Sequence, residues 1–197
     1  MNLPNKLTIA RVVMIPFVMF FYFANFIPFG IGKLVALVLF ILASLTDMLD
    51  GKIARKHNLI TNFGKFLDPI ADKMLTSCVL FMIIADGTIA NPWGAIIATI
   101  IISREFMVSA LRLLVASNGT VLAADMWGKV KTTVQMIALP ICILFAYVLN
   151  CGFDVATWLV VTLKVLSYLT LGLATVLTVI SGVNYIVKNR QCFKDVK

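Results

Sequence analysis

Charged side chains are scarce in this 197-residue chain: Asp, Glu, Lys and Arg together make up only 13% of it. A soluble domain carries roughly 25%, so there is too little charge here to cover a water-facing surface. The shortage excludes a soluble globular enzyme, a disordered chain and a nucleic-acid-binding domain. Histidine is nearly missing, with His57 alone. The four cysteines, Cys78, Cys142, Cys151 and Cys192, show no CxxC or CxxH spacing. Neither a zinc site nor a disulfide framework is expected from them, and a Cys within an apolar run behaves as a small hydrophobe. Internal repeats and low-complexity segments are lacking. A cleavable leader is not expected either, because the first apolar run far exceeds the ~7–15 residues of a signal-peptide core and has no small-residue cleavage site.

What abounds is apolar surface. Hydrophobic residues form 61% of the chain, and the mean hydropathy is +1.00. Six apolar runs stand out: Thr8–Phe26, Leu34–Leu49, Ile70–Ala85, Trp93–Ala116, Val130–Leu149 and Trp158–Val187. Each approaches the ~20 residues that cross a bilayer as a helix. None alternates as a strand would, and lipid tolerates no open sheet edge. The fold expected is all-α: one domain over residues 1–197, a polytopic integral membrane protein with six transmembrane helices. Pro28, Gly30, Gly51, Gly64, Pro69, Gly87, Pro92, Gly119 and Gly152 punctuate the runs. Trp93, Trp127 and Trp158 stand at span ends as interfacial anchors, and Gly172 and Gly182 in the last span suit close helix packing.

The net charge of +8 follows from 17 basic against 9 acidic residues. The basic residues segregate. Lys6, Arg11, Lys52, Arg55, Lys56, Lys65, Lys129, Lys131, Lys188, Arg190, Lys194 and Lys197 fall on one side of a six-span layout; the connections on the other side hold only Lys33. By the positive-inside rule both termini face the cytoplasm.

Four of the nine acidic residues lie between positions 47 and 72. An Asp at mid-membrane costs roughly 2.5–3.5 kcal/mol, so four near one boundary need compensation. Asp47 and Asp50 end the second run and Asp68 and Asp72 begin the third, each pair at a spacing that shares a helix face. A short connection makes these helices antiparallel neighbours, so the pairs converge. Four carboxylates without clustered His or Cys form a hard oxygen site suited to Mg²⁺, Mn²⁺ or Ca²⁺. The plainer alternative is that they cap helices or pair with Lys52, Arg55, Lys65 and Lys73.

From Asp47 the sequence reads DMLDGKIARKHNLITNFGKFLDPIAD, the pattern D-x2-D-G-x2-A-R-x8-G-x3-D-x3-D. It resembles, at every fixed position, the signature of the CDP-alcohol phosphotransferase family, membrane enzymes that displace CMP from a CDP-linked alcohol with a second alcohol. The resemblance implies that Asp47, Asp50, Asp68 and Asp72 ligate Mg²⁺ or Mn²⁺, as two ions, with Asp72 also the general base. It implies a CDP site at Asp50, Gly51, Ala54, Arg55, Gly64 and Asp68, and a homodimer. The chemistry is consistent: two metals clamp attacking and leaving oxygens, glycines let a nucleotide approach backbone, and Arg55 offers a planar fork for phosphate.

The acceptor is set elsewhere. NLPNKLTIARVVMIP, with Asn5, Thr8 and Arg11 at three-residue spacing, and ISREF, Arg112 and WGKVKT resemble the bacterial branch that joins CDP-diacylglycerol to sn-glycerol 3-phosphate. The resemblance assigns Asn5 and Thr8 to CDP, and Arg11, Arg104, Arg112, Lys129 and Lys131 to the acceptor. An acceptor with its own phosphate needs cationic donors, and Arg104 lies about twelve residues, roughly 18 Å, from its span's outer start. As alternatives, Asn5 or Thr8 caps the first helix, Arg11 snorkels to lipid phosphate, and Glu105 pairs with Arg112, seven residues away. His57 reads as solvated surface. The function expected is formation of phosphatidylglycerophosphate and CMP in the cytoplasmic membrane of a bacterium, the site facing cytoplasm. Serine, inositol phosphate or phosphatidylglycerol is the alternative acceptor. A divalent-cation transporter fits less well, because the carboxylates cluster on one side and no inverted repeat is visible.

Overall fold

The computed structural model of the chain describes residues 3–56, 62–117 and 126–188; the side chains of 3–4, 48–56, 62–66, 68 and 113–117 lie outside that description. Among the described residues the elements are all helical: α1 (Leu3–Tyr22), α2 (Ile31–Lys56), α3 (Asn62–Ala85), α4 (Trp93–Ser117), α5 (Met126–Asn150) and α6 (Thr157–Lys188). Five of them are long and apolar enough to cross a membrane. The exception to the six expected is α3, and its composition explains why. Asp68, Asp72 and Lys73 fall close together in the helix and confine its uncharged part to residues 74–85, too short to span alone. His57, Cys192 and the tail residues Arg190, Lys194 and Lys197 lie outside the described residues.

The helices do not stop where the apolar runs stop. α2 continues through DGKIARK to Lys56, and α3 begins at Asn62, ahead of its apolar segment. A helix leaving hydrocarbon keeps its own backbone bonds, so charge alone does not end it. α1 starts at Leu3, before the apolar run, and ends at Tyr22 while aromatics continue to Phe26. A single 3-10 turn, Pro28–Gly30, then leads into α2. Gly87 (φ 76°) and Gly152 (φ 68°) follow α3 and α5 in the left-handed conformation that glycine adopts without strain.

α1 packs along α2 and α3, α5 packs along α6 and α2, and α4 joins through α6 and α3. Small residues sit where helices meet: Ala36 and Ala43 on α2, Ala138, Cys142 and Ala146 on α5, all fully buried. In lipid, close backbone approach replaces the hydrophobic effect as the source of association. Around them Phe40, Leu75, Val79, Leu80, Ile83, Ile101, Leu139 and Ile143 complete one core. Several threonine hydroxyls in the spans bond back to the preceding turn, as Thr46 does to the Leu42 carbonyl (2.7 Å), Thr99 to Ala95 (2.8 Å) and Thr178 to Ala174 (2.6 Å). This satisfies them without water. Outward faces are apolar: Leu169, Leu173, Val176, Val179 and Val183 form an exposed stripe along α6. In water such a stripe invites aggregation; against acyl chains it is at rest. Trp93, Trp127 and Trp158 are exposed within the first two residues of their helices. Cys78, Cys142 and Cys151 are free thiols.

The end of the bundle away from Asp47 and Asp72 holds a compact ionic cluster centred on Asp86, in the α3–α4 connection. Lys33 Nζ (2.6 Å) and the Tyr22 hydroxyl (2.7 Å) donate to Oδ2, while the Thr88 amide (3.0 Å) and hydroxyl (2.5 Å) donate to Oδ1. Lys33 also stands 4.3 Å over the Tyr22 ring. Lys33 is thus buried and neutralised, tying α1 and α2 to the α3–α4 connection. Burial by itself raises the Asp86 carboxyl, but the bonds from Lys33, Thr88 and Tyr22 outweigh it and hold the group below its ordinary value. A depressed carboxylate contributes stability above its unfolded value, about 3.9, and loses it as pH falls through the folded one. Asp86→Asn is therefore expected to melt below wild type at neutral pH in detergent, with the gap closing below about pH 4. A gap constant from pH 7 to 3 would contradict this linkage.

Candidate active site

Asn5, Thr8 and Arg11 recur every third residue and so occupy one side of α1. All three are buried, Arg11 completely. They lie inside α1, so neither Asn5 nor Thr8 is its cap. A buried guanidinium needs a carboxylate, and Arg11 Nη1 sits 2.5 Å from Asp47 Oδ1 in the second half of α2. Arg11 therefore does not snorkel. Nor does it join the other cations expected at the acceptor: it faces the first Asp of the signature.

Three of those other cations, Arg104, Arg112 and Lys129, line a cavity of about 420 Å³ between α3, α4, α5 and α6. Asp72 and Lys73 enter from the middle of α3. Arg104, Glu105, Ser109 and Arg112 come from α4. Gly128, Lys129, Thr132 and Thr133 come from the start of α5, and Tyr185 from the end of α6. Lys73, Arg104, Arg112 and Lys129 thus face two carboxylates, Asp72 and Glu105. A formal excess of two positive charges in a half-enclosed space favours an anionic guest. The Thr132 and Thr133 hydroxyls are turned back to the Gly128 (2.9 Å) and Lys129 (3.1 Å) carbonyls.

Lys131 is absent from that lining. Its side chain is 1% exposed and its ammonium donates to Glu105 Oε1. Arg104 Nη1 approaches the same oxygen at 3.5 Å, a long contact, while Nη2 donates to the Ser181 hydroxyl. The pairing of Glu105 with Arg112 weighed from the sequence is replaced by one with Lys131. The spacing along α4 could not reveal that choice, because the partner belongs to another helix.

Of the expected metal set, Asp47 and Asp72 are described; the side chains of Asp50 and Asp68 lie outside the described residues, as do those of Gly51, Ala54, Arg55 and Gly64 expected at CDP. Among the described residues no group of three or more metal-binding side chains assembles. Sequence reasoning passed over Lys73 as a cavity residue, and over Ser109, Ser181 and Tyr185. Lys73 adjoins Asp72 and was within reach of the same argument. Tyr185 carried no signal beyond being a tyrosine near the end of the last span.

Comparison with known proteins agrees with the signature. A family model described as CDP-alcohol phosphatidyltransferase matches residues 1–180. The CDP-diacylglycerol–glycerol-3-phosphate 3-phosphatidyltransferase of Bacillus subtilis (strain 168) is 42% identical, over 98% of this chain and 97% of its own. A protein of the same name from Rickettsia bellii is 38% identical over 93% of each chain. Another from Haemophilus influenzae is 43% identical over 70% of this chain and 73% of its own. A family model that matches most of the chain and a relative 42% identical along nearly its whole length leave one assignment: the chain belongs to the CDP-alcohol phosphatidyltransferase family and is an enzyme, a transferase.

Proposed function

We propose that this enzyme transfers the phosphatidyl group of CDP-diacylglycerol to sn-glycerol 3-phosphate, giving phosphatidylglycerophosphate and CMP for phosphatidylglycerol synthesis in a bacterial cytoplasmic membrane. The observation that carries the reading is the cavity in which Asp72 stands with Lys73, Arg104, Arg112 and Lys129. An acceptor bearing both a hydroxyl and a phosphate needs a base for the one and cations for the other. Serine has no phosphate and would leave the cations idle. The names of the three relatives carry the same substrate pair.

In this reading Asp72 takes the proton of the primary hydroxyl. The hydroxyl oxygen forms a bond to the phosphorus bearing diacylglycerol, the bond from that phosphorus to CMP breaks, and CMP departs. Arg104, Arg112 and Lys129 hold the acceptor's phosphate. Asn5 and Thr8, buried beside Arg11 at the start of α1, and Asp50, Gly51, Ala54, Arg55, Gly64 and Asp68 hold CDP. The carboxylates of Asp47, Asp50, Asp68 and Asp72 are hard oxygen donors, a set that fits Mg²⁺ or Mn²⁺ and, by the family resemblance, two ions. When bound, such ions neutralise pyrophosphate charge. α3 completes six spans with both termini and the site in the cytoplasm, supported by the one-sided distribution of Lys and Arg. The protein acts as a homodimer.

The direct test is CMP release by the purified protein in detergent with CDP-diacylglycerol and Mg²⁺ or Mn²⁺. Glycerol 3-phosphate, serine, inositol phosphate and phosphatidylglycerol are compared, and each lipid product is weighed by mass spectrometry. Release with glycerol 3-phosphate alone is expected; release with another acceptor alone overturns the acceptor assignment. Arg104→Ala is expected to raise the KM for glycerol 3-phosphate by roughly 10–100-fold, the worth of one or two charge-assisted hydrogen bonds. The KM for CDP-diacylglycerol should move by less than about twofold, since no donor contact is assigned to Arg104. Equal losses for both substrates would sink its place in the acceptor pocket.

A further inference from the structure

An arginine that reaches for a phosphate is useful only if its guanidinium is already where the phosphate arrives, because freezing a long side chain on binding lowers affinity. Arg104 is held by small residues of two neighbouring helices. Its Nη2 donates to the hydroxyl of Ser181, itself completely buried on α6. Its stem lies against Gly182, where an added Cβ would stand 3.2 Å from Arg104 Cγ and 3.9 Å from Nε. From α5, a Cβ on Gly128 would stand 3.8 Å from Ser181 Oγ and 4.0 Å from Arg104 Nη2. The clearance is particular to this place: at Gly172, on the same helix, an added Cβ meets nothing within 4 Å. One turn beyond Ser181, Tyr185 lines the cavity, so the same side of α6 continues into the site.

Resting on the acceptor reading above, we infer that Ser181 and Gly182 are positioning residues of the reaction. They seat Arg104 so that its guanidinium, at the cavity wall, meets the acceptor's phosphate. Neither touches substrate. Ser181 takes up one of five donors and fixes the plane of the guanidinium. Gly182 supplies the groove that lets the stem lie flat on α6. The last helix thereby contributes to acceptor affinity although its sequence carries no charged residue in that turn.

The test uses the full-length protein in detergent, with steady-state kinetics and thermal melting of Ser181→Ala, Gly182→Ala, Gly172→Ala and Arg104→Ala. Ser181→Ala is expected to raise the glycerol 3-phosphate KM about tenfold, the loss of one charge-assisted hydrogen bond. Gly182→Ala is expected to do at least as much, since sub-ångström misplacement of a binding group is costly. The donor KM and the melting temperature stay at wild-type values, and Gly172→Ala changes nothing. The decisive measurement is Ser181→Ala in the Arg104→Ala background, where it is expected to add no further rise. Additive losses there, or unchanged acceptor KM in both Ser181→Ala and Gly182→Ala, overturn the positioning role while Arg104 keeps its place. An unchanged acceptor KM in Arg104→Ala itself overturns the acceptor reading instead. Should Gly182→Ala fail to fold, the Ser181 cycle decides alone.

Discussion

Asp72→Asn is expected to lower CMP release about 10²–10⁴-fold at saturating substrates, because the amide cannot accept the proton of the attacking hydroxyl and that is the usual contribution of general-base catalysis. The substitution is nearly isosteric. Asp72 is half-buried at a cavity wall, so the fold has no reason to change, and melting in detergent is the control. Two roles are assigned to this carboxylate, and they separate experimentally. If Asp72 served only as one metal ligand among four, raising Mg²⁺ or Mn²⁺ would restore much of the rate by mass action. If it is the base, saturating metal leaves the loss in place. Near-normal turnover at ordinary metal concentration would remove Asp72 from the mechanism altogether.

Much of the scaffold was legible because hydropathy acts locally. The apolar runs from Trp93, from Val130 and from Trp158 became α4, α5 and α6 with shifts of a few residues. Glycines and prolines marked the connections because left-handed or helix-ending backbone requires them. The ends of α2 and α3 were less legible, since a hydropathy run stops at the first charges while the helix continues through them. α3 shows the tension most directly: Asp68, Asp72 and Lys73, which belong to the proposed chemistry, are what deprive it of a long uncharged stretch.

At the site, residue types were readable and partnerships were not. Three of the cations that meet Asp72 in the cavity, Arg104, Arg112 and Lys129, follow from charge scarcity, since each charge in such a chain needs a reason; Lys73 is the addition that packing makes. Which carboxylate Arg11 faces, or which cation Glu105 holds, depends on how helices far apart in sequence are rotated against each other. The sequence placed Arg11 and Lys131 with the acceptor because they are basic and lie on the right side; packing pairs them with Asp47 and Glu105. Lys33 shows the same point in reverse. The sequence marks it as a solitary cation in its connections, and no spacing joins it to its partner Asp86, fifty-three residues on.

The Glu105–Lys131 pair carries the other large prediction. Lys131 has almost no exposed surface, and Arg104 is close to the same carboxylate. Glu105→Ala leaves a buried ammonium beside a guanidinium without its counter-charge, and breaking one side of a buried pair costs about 3–5 kcal/mol. A steep fall in melting temperature is therefore expected. Lys131→Met has a different consequence. Glu105, released from its main partner, is drawn to Arg104, and a carboxylate on that guanidinium competes with the acceptor's phosphate. The expected result is a raised glycerol 3-phosphate KM from a residue that does not line the cavity. The variant carrying both Glu105→Met and Lys131→Met removes both charges together, which for buried pairs is often neutral or stabilising. It should recover the stability lost in Glu105→Ala and the acceptor KM lost in Lys131→Met. If the double variant is stable yet still binds the acceptor poorly, Lys131 meets the phosphate directly, and its pairing with Glu105 is only where it rests between turnovers.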